Sequence, residues 1–161
     1  MKILVTYYTK SENTGKIAEA IRSALVGLGD VEVFRIQMAN DYCDCALHFN
    51  PRVILDVFLN KKPKMKTLCD FTKYDFVIIG SPIWFGKIAP PVNTLIQNAV
   101  GIENKWVIGF VSSTLNHSAY EKGLRVALET RKSKVLKVFS LKDSEITGSV
   151  IQEIGGLVSR S

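Results

Sequence analysis

The sequence predicts an α/β fold in which one parallel sheet lies between two layers of helices, a three-layer α/β/α sandwich. Segments with the apolar pattern of strands alternate with segments that have the pattern of amphipathic helices along the chain. Several strand segments are apolar without interruption, as in Phe76-Val77-Ile78-Ile79, which is typical of parallel strands buried on both faces. Strands separated by helices join through right-handed crossovers, so five such strands form one parallel sheet covered on both sides.

The predicted elements follow one another without a domain boundary, so residues 1–161 are expected to form a single domain. The strands are predicted at 2–8, 31–36, 74–80, 105–111 and 134–139. The helices are predicted at 14–28, after Asn50-Pro51, after Pro90-Pro91, at 120–130 and from Ile146 to Leu157. Residues 38–73 are the least clearly patterned part of the chain, and the sequence does not indicate their role.

Composition restricts the classes of function. The chain has 47% hydrophobic residues and a net charge of +6, as expected for a globular protein rather than a disordered one. No apolar run approaches the roughly 20 residues that span a bilayer, and a strand pattern begins at Ile3, so we expect a cytoplasmic protein without membrane insertion. The basic charge permits an acidic partner or an anionic substrate. The lysines at 61–66 have no aromatic residues among them, which disfavours nucleic acid as a partner.

Three cysteines, Cys43, Cys45 and Cys69, are too few and too irregularly spaced for a disulfide framework. They complete neither a C-x-x-C redox motif nor a zinc site, and no metal site is predicted. In a cytoplasmic protein we expect all three to be reduced thiols.

A polar turn follows the first predicted strand. It offers hydroxyl groups at Thr9, Ser11 and Thr14 and an amide at Asn13. The first N–H groups of the next helix lack intrahelical partners, and together with the helix dipole they favour a phosphate. The alternative is that these side chains only cap the helix.

A second turn, Ser81-Pro82-Ile83-Trp84-Phe85-Gly86, follows the third strand. Its Pro, Gly and tryptophan are typical of an exposed loop, where the indole of Trp84 can stack on a flat ring. The alternative is that Trp84 is a core residue.

A third polar segment, Ser112-Ser113-Thr114, follows the fourth strand and continues to His117. His117 could contact a ligand or simply be a surface residue, and Tyr120 is a weak candidate for a ring contact. All three turns follow strand ends, where open α/β sheets bind ligands, so they are expected to converge on one crevice.

Two of these turns resemble known loops. Tyr8-Thr9-Lys10-Ser11-Glu12-Asn13-Thr14 resembles the FMN-phosphate loop of flavodoxins, which commonly reads S/T-x-T-G-N-T. The segment from Gly80 to Lys87, followed by Ala89-Pro90-Pro91, is similar to the second flavin loop of that family. The resemblance implies a flavodoxin-like strand order of 2-1-3-4-5 and non-covalent binding of FMN. The cofactor-binding residues that it implies are Thr9, Lys10, Ser11, Glu12, Asn13, Thr14, Ser81, Pro82, Ile83, Trp84, Phe85, Gly86, Ser112, Ser113 and Thr114.

Glu12 departs from the family pattern, because flavodoxins usually have glycine at that position. A carboxylate beside a phosphate is repelled unless it points to solvent, and we expect Glu12 to point outward. Lys10 and Lys16 could offset its charge.

The resemblance implies electron transfer between redox partners, with no catalytic residue required because the flavin performs the redox chemistry. One alternative is an FMN-dependent NAD(P)H:quinone-type oxidoreductase, which the basic charge mildly favours. Another is a binding module of the same fold that has lost flavin. The partner, either a redox protein or a nicotinamide nucleotide, is not specified by the sequence, and neither is the oligomeric state.

Overall fold

The computed structural model describes residues 1–43, 49–114, 118–142 and 146–161. Its parallel strands are β1 (Lys2–Tyr7), β2 (Asp30–Arg35), β3 (Phe76–Trp84), β5 (Trp106–Ser113) and β6 (Lys134–Lys142), and the short β4 (Lys87–Ile88) pairs antiparallel with β3. The parallel strands lie in the order β2-β1-β3-β5-β6. The predicted order of five parallel strands, 2-1-3-4-5, is confirmed once β4 is set aside.

Helices cover both faces of this sheet. They are α1 (Asn13–Leu25), α2 (Pro51–Phe58), α3 (Pro90–Asn98), α4 (Ser118–Thr130) and α5 (Gly148–Ser159). Side chains of α1 and α5 pack in one apolar cluster, and side chains of α2, α3 and α4 pack in the other. The predicted three-layer sandwich is therefore confirmed.

Helix starts follow the local sequence signals. The Asn50 side chain accepts a hydrogen bond from the N–H of Arg52, and Pro51 occupies the first helical position of α2. In α3, Pro90 and Pro91 open the helix, where their missing N–H groups have no cost. These short helices are stabilised mainly by the apolar faces that they bury.

The centre of the sheet is closely packed at Gly80 of β3. A Cβ atom placed there would lie 2.1 Å from the ring of Phe110 on β5. Only glycine leaves room for the Phe110 ring at this point of β3, so the two neighbouring strands pack closely just before their carboxyl ends.

The strand β3 is longer than predicted. The sequence predicts that it ends at Gly80 and that a loop follows at 81–87, but it continues to Trp84 and turns back into β4. The two turn residues, Phe85 and Gly86, have φ values of 49° and 76°, as a two-residue hairpin turn of type I′ requires. The predicted loop is therefore wrong, and the segment is a β-hairpin.

Candidate functional site

The first predicted turn lies where β1 ends and α1 begins. Glu12 is the N-cap residue of α1, and the helix has no side-chain cap and no acidic residue in its first turn. The first N–H with an intrahelical partner is that of Lys16, which bonds to the carbonyl of Glu12 at 2.9 Å. The preceding N–H groups face the turn at the positive end of the helix dipole, an arrangement suited to an anion.

Two threonine hydroxyls are buried in this turn. Thr14 Oγ1 shares a hydrogen bond of 2.7 Å with Ser112 Oγ at the end of β5. Thr9 Oγ1 is buried and has no hydrogen-bond partner among the described residues. Because a buried hydroxyl without a partner costs about 1–3 kcal/mol, an oxygen-rich ligand at this turn would remove that cost.

Glu12 has a backbone conformation that glycine adopts easily. Its φ is 62°, in the left-handed region that residues other than glycine rarely adopt. Its carboxylate accepts a hydrogen bond of 2.7 Å from Arg35 Nη2, and 56% of the side chain is exposed. The expectation that Glu12 points outward is confirmed, and Arg35 rather than Lys10 or Lys16 offsets its charge.

Lys10 is held by Asp41, which sequence reasoning did not identify. Lys10 Nζ lies 3.3 Å from Asp41 Oδ2, and the Tyr8 hydroxyl donates to Asp41 Oδ1 at 2.8 Å. Burial and the bond to Asp41 raise the pKa of the Tyr8 phenol, so it stays protonated. Burial alone would raise the pKa of Asp41, but hydrogen bonds from Tyr8, the Tyr42 N–H and Lys10 outweigh it and lower that pKa. Lys10 and Asp41 therefore form one ion pair beside the turn, and the neutral Tyr8 phenol is hydrogen-bonded to it.

A cavity of about 210 Å³ lies on the β2 side of this turn, next to Thr9. Arg35 and Lys66 contribute the positive charges of its lining, and Asp41 contributes the carboxylate. The surroundings of the orphaned Thr9 hydroxyl are therefore polar and on balance basic.

Trp84 does not lie in an exposed loop. It is the last residue of β3, it is only 4% exposed, and its ring packs edge-on against Tyr8 at 5.6 Å and Tyr42 at 5.5 Å between centroids. The prediction of an exposed indole is wrong because Pro82 lies within the strand and Gly86 forms the hairpin turn, although both residue types are typical of loops. The aromatic residue at the exposed tip is Phe85, which is 38% exposed.

Ser81 has a structural partner of its own. Its Oγ accepts a hydrogen bond of 3.0 Å from the N–H of Ala89 and donates one of 2.9 Å to the carbonyl of Pro82. This buried link holds the start of α3 against the end of β3. Pro82 and Ile83 are half-buried in the strand.

The third segment is placed partly as predicted. Ser112 and Ser113 end β5, Ser112 is bonded to Thr14, and Thr114 is exposed. His117 lies outside the described residues. The Thr14–Ser112 bond and the Tyr8–Trp84 contact tie the first turn to the other two segments, so the predicted convergence at the carboxyl ends of β1, β3 and β5 holds.

The expectation of three reduced cysteines is wrong for Cys43, which is disulfide-bonded. That expectation rests on cell compartment alone, whereas a disulfide also depends on how closely the fold places two thiols. Cys69 is free, and burial raises its pKa to about 11, so its thiol is protonated and unreactive at neutral pH. Cys45 lies outside the described residues.

Comparison with known proteins identifies the family. The flavodoxin family profile matches residues 2–151. The chain belongs to the flavodoxin family. Among solved structures, the flavoprotein from Lactobacillus acidophilus in complex with FMN is 26% identical, with a TM-score of 0.70 over 88% of this chain and 93% of that one. The flavodoxin of Megasphaera elsdenii, at 17% identity, shares the fold over 99% of both chains with a TM-score of 0.65.

A curated relative is longer than this flavodoxin-family chain. An NAD(P)H dehydrogenase (quinone) from Azorhizobium caulinodans is 28% identical over an alignment of 131 residues, and the match covers 76% of this chain and 62% of that protein. The chain thus spans less than two thirds of that relative. Within the described residues, no helix is both long and apolar enough to cross a bilayer.

Proposed function

We propose that this chain binds FMN non-covalently and acts in electron transfer. The observation that carries the proposal is the buried, unpartnered hydroxyl of Thr9 beside the uncapped N-terminus of α1. A terminal phosphate supplies the acceptor oxygens that both features lack. Family membership and the FMN complex of the Lactobacillus acidophilus relative support the same cofactor.

The residues of the first turn would hold the phosphate. Thr9 and the N–H groups opening α1 are its natural donors, with Ser11, Asn13 and Thr14 completing the turn. Thr14 remains tied to Ser112, which keeps the turn against the end of β5. Glu12 contributes its backbone, since its carboxylate is engaged by Arg35.

The hairpin and the end of β5 would hold the ring. Phe85 and Gly86 present an exposed aromatic side chain and an uncovered backbone at the hairpin tip. Trp84 supports them from beneath through its contacts with Tyr8 and Tyr42. Backbone groups of Ser112–Thr114 would contact the polar edge. When bound, FMN supplies the redox chemistry, and the protein binds and orients it and sets its electrostatic surroundings.

A comparison of three flavins tests the cofactor. Fluorescence quenching should show that FMN binds more tightly than riboflavin or FAD, because only FMN places a terminal phosphate in the turn. The variant Thr9→Val should reduce the preference for FMN over riboflavin, since it keeps the shape and removes the hydroxyl. Equal affinities for FMN and riboflavin in the unmodified protein would contradict phosphate recognition.

A second candidate function is an FMN-dependent NAD(P)H:quinone-type oxidoreductase. The name of the Azorhizobium caulinodans relative and the net charge of +6 favour it. Stopped-flow mixing of the FMN-loaded protein with NADH or NADPH separates the two functions. Flavin bleaching at a saturable rate would favour the oxidoreductase, whereas an unchanged flavin spectrum would favour a carrier that receives electrons from a protein.

A third candidate, a flavodoxin-fold binding module without flavin, rests on Glu12 at the glycine position of the phosphate turn. The flavin titration decides it as well. Absence of binding by all three flavins would favour this module over both redox functions.

A further inference from the structure

A second cavity, of about 320 Å³, lies on the face of the sheet covered by α2, α3 and α4. It is lined by the end of α2, the β4 strand with the turn before it, and one side each of α3 and α4. Its volume is within the range of small-molecule sites. It is separate from the first turn of α1, which packs on the opposite face.

The charges that line this cavity leave it positive. Lys61 and Lys87 contribute cations, and Asp56 contributes the carboxylate. That carboxylate is already engaged, because it accepts a 3.0 Å hydrogen bond from the Tyr42 hydroxyl and lies within 3.9 Å of Lys61 Nζ and 3.8 Å of Arg52 Nε. Lys87, in contrast, has no carboxylate within 4 Å among the described residues.

Two side-chain amides without partners among the described residues line the same cavity as Lys87. Asn93 and Gln97 are four residues apart on α3 and therefore lie on the same side of the helix. Both are half-buried, and among the described residues neither side-chain amide forms a hydrogen bond. The Lys87 ammonium lies 5.5 Å from the centre of the exposed Phe58 ring, at the edge of the same region. One ammonium and two amides are thus available as donors to an anionic group in this cavity.

Much of the remaining lining is apolar and is formed by Val57, Ile88, Pro90, Val126 and Ala127. Asn60 and Thr130 add two polar side chains, of which the Thr130 hydroxyl already donates to the carbonyl of Val126 at 2.7 Å. A ligand that fits both halves has a charged head toward the donors and a flat hydrocarbon body against these side chains. A simple inorganic anion would leave the apolar half unfilled.

We propose that this cavity, with Lys87, Asn93 and Gln97 as its donors, binds a small planar organic anion that carries a carboxylate or phosphate group on a conjugated ring. The proposal does not depend on flavin binding, because none of these residues belongs to the phosphate turn. Lys87 directly follows the turn residues Phe85 and Gly86, so an occupant lies next to the hairpin tip to which we assign the flavin ring. An electron donor or acceptor of that chemistry, bound in this cavity, would therefore lie close to the flavin ring.

Benzoate is the probe for this proposal, added to the protein both without FMN and with FMN bound. Nuclear magnetic resonance should show saturable shifts of the side-chain amide signals of Asn93 and Gln97. We expect Lys87→Gln to weaken benzoate binding at least tenfold and Gln97→Leu at least threefold. The matched control is Lys62→Gln, which removes the same charge from a lysine outside the cavity and should change the affinity less than twofold.

Two further probes separate the parts of the ligand. Benzyl alcohol keeps the ring without the charge, and inorganic phosphate keeps the charge without the ring, so both should bind at least tenfold more weakly than benzoate. If benzyl alcohol bound as tightly as benzoate, the claim that the site requires an anionic group would be overturned. If phosphate bound as tightly as benzoate, the claim that it requires a planar ring would be overturned. An equal loss of affinity in Lys62→Gln and Lys87→Gln would reduce the site to general attraction by a basic protein, which also overturns it.

The variant Val126→Trp tests the location independently of charge. Val126 is 60% exposed on α4, so a larger side chain is accommodated without repacking the core, while it narrows the cavity that Val126 lines. Benzoate binding should be lost with an unchanged urea midpoint. Unchanged benzoate affinity in this variant would show that the anion binds elsewhere.

Discussion

At Glu12, two substitutions can separate the effect of side-chain charge on FMN affinity from the effect of backbone strain on stability. We expect Glu12→Gly to tighten FMN binding about threefold, because a like charge near the phosphate is removed and its screened effect is about 0.5–1 kcal/mol. The same variant removes the strain of a left-handed φ, which should raise the free energy of unfolding by about 1 kcal/mol. It also loses an exposed ion pair with Arg35, which lowers that free energy by about 0–1 kcal/mol. Flavin titration and urea unfolding measure the two effects.

Glu12→Gln is the matched control, since it removes the charge and keeps the strained φ. It should reproduce most of the gain in FMN affinity and none of the relief of backbone strain. Weaker FMN binding in both variants would mean that the Glu12–Arg35 pair shapes the turn for the phosphate.

Substitution of Trp84 is expected to lower the stability of the fold and not only the affinity for flavin. Its buried ring packs against Tyr8 and Tyr42, so Trp84→Ala should lower the free energy of unfolding by about 3–5 kcal/mol. Phe85→Ala at the exposed tip should lower it by less than about 0.5 kcal/mol and weaken FMN binding by about 1 kcal/mol. Urea midpoints and FMN affinities of both variants are the measurements. If Trp84→Ala lost affinity without losing stability, the indole would be a ring contact and the packing role assigned to it would be wrong.

At the scale of elements, the β3–β4 hairpin depends on glycine at one position. Gly86 has a φ of 76°, and among the described residues a Cβ atom there would meet only Tyr120, at 3.9 Å. The cost of Gly86→Ala is therefore conformational, and we expect a loss of about 1 kcal/mol in the free energy of unfolding. Urea unfolding measures it.

Gly156→Ala is the matched control for Gly86→Ala, because the same substitution should here raise the free energy of unfolding instead of lowering it. Gly156 lies inside α5, and no atom of the part of the chain that the structure describes lies within 4 Å of a new Cβ, so alanine should stabilise the protein by about 0.5–1 kcal/mol. A loss of equal size in both variants would indicate that the hairpin turn tolerates a side chain and that φ is not the cause.

The elements also show what the sequence can predict. The buried parallel strands and α2 were recognisable because uninterrupted apolar runs and the Asn50-Pro51 start are local signals. The hairpin was missed because its turn reads Phe85-Gly86 instead of the Asn-Gly or Asp-Gly pair that usually marks type I′. Arg35 and Asp41 were missed for a different reason: their partners, Glu12 and Lys10, are 23 and 31 residues away, and only the pairing of β1 with β2 brings them together.

At the scale of the whole molecule, the net charge of +6 acts on any anionic form of a bound flavin. Negative surroundings destabilise the reduced flavin, which is anionic near N1, and a basic protein supplies less of that repulsion. We therefore expect bound FMN to be less strongly reducing in this protein than in an acidic flavodoxin. Charges beyond about 8–10 Å are largely screened at physiological salt, so the effect depends on the few lysines near the ring.

Lys87 and Lys2 test whether local charge or net charge sets this potential. Lys87 pairs with Trp84 at the carboxyl end of β3, whereas Lys2 lies at the amino end of the neighbouring β1, about 30 Å away along an extended strand. A unit charge about 10 Å from a developing charge contributes roughly 0.4 kcal/mol in water, on the order of 10 mV for a two-electron couple. Lys87→Gln should lower the midpoint potential by about that amount or more at low salt, and Lys2→Gln should leave it unchanged. Redox titration of both variants at low and high salt measures this difference, which should shrink as salt rises. Equal shifts in the two variants would implicate net charge, and no shift in either would show that the geometry of the hairpin and the β5 end sets the potential.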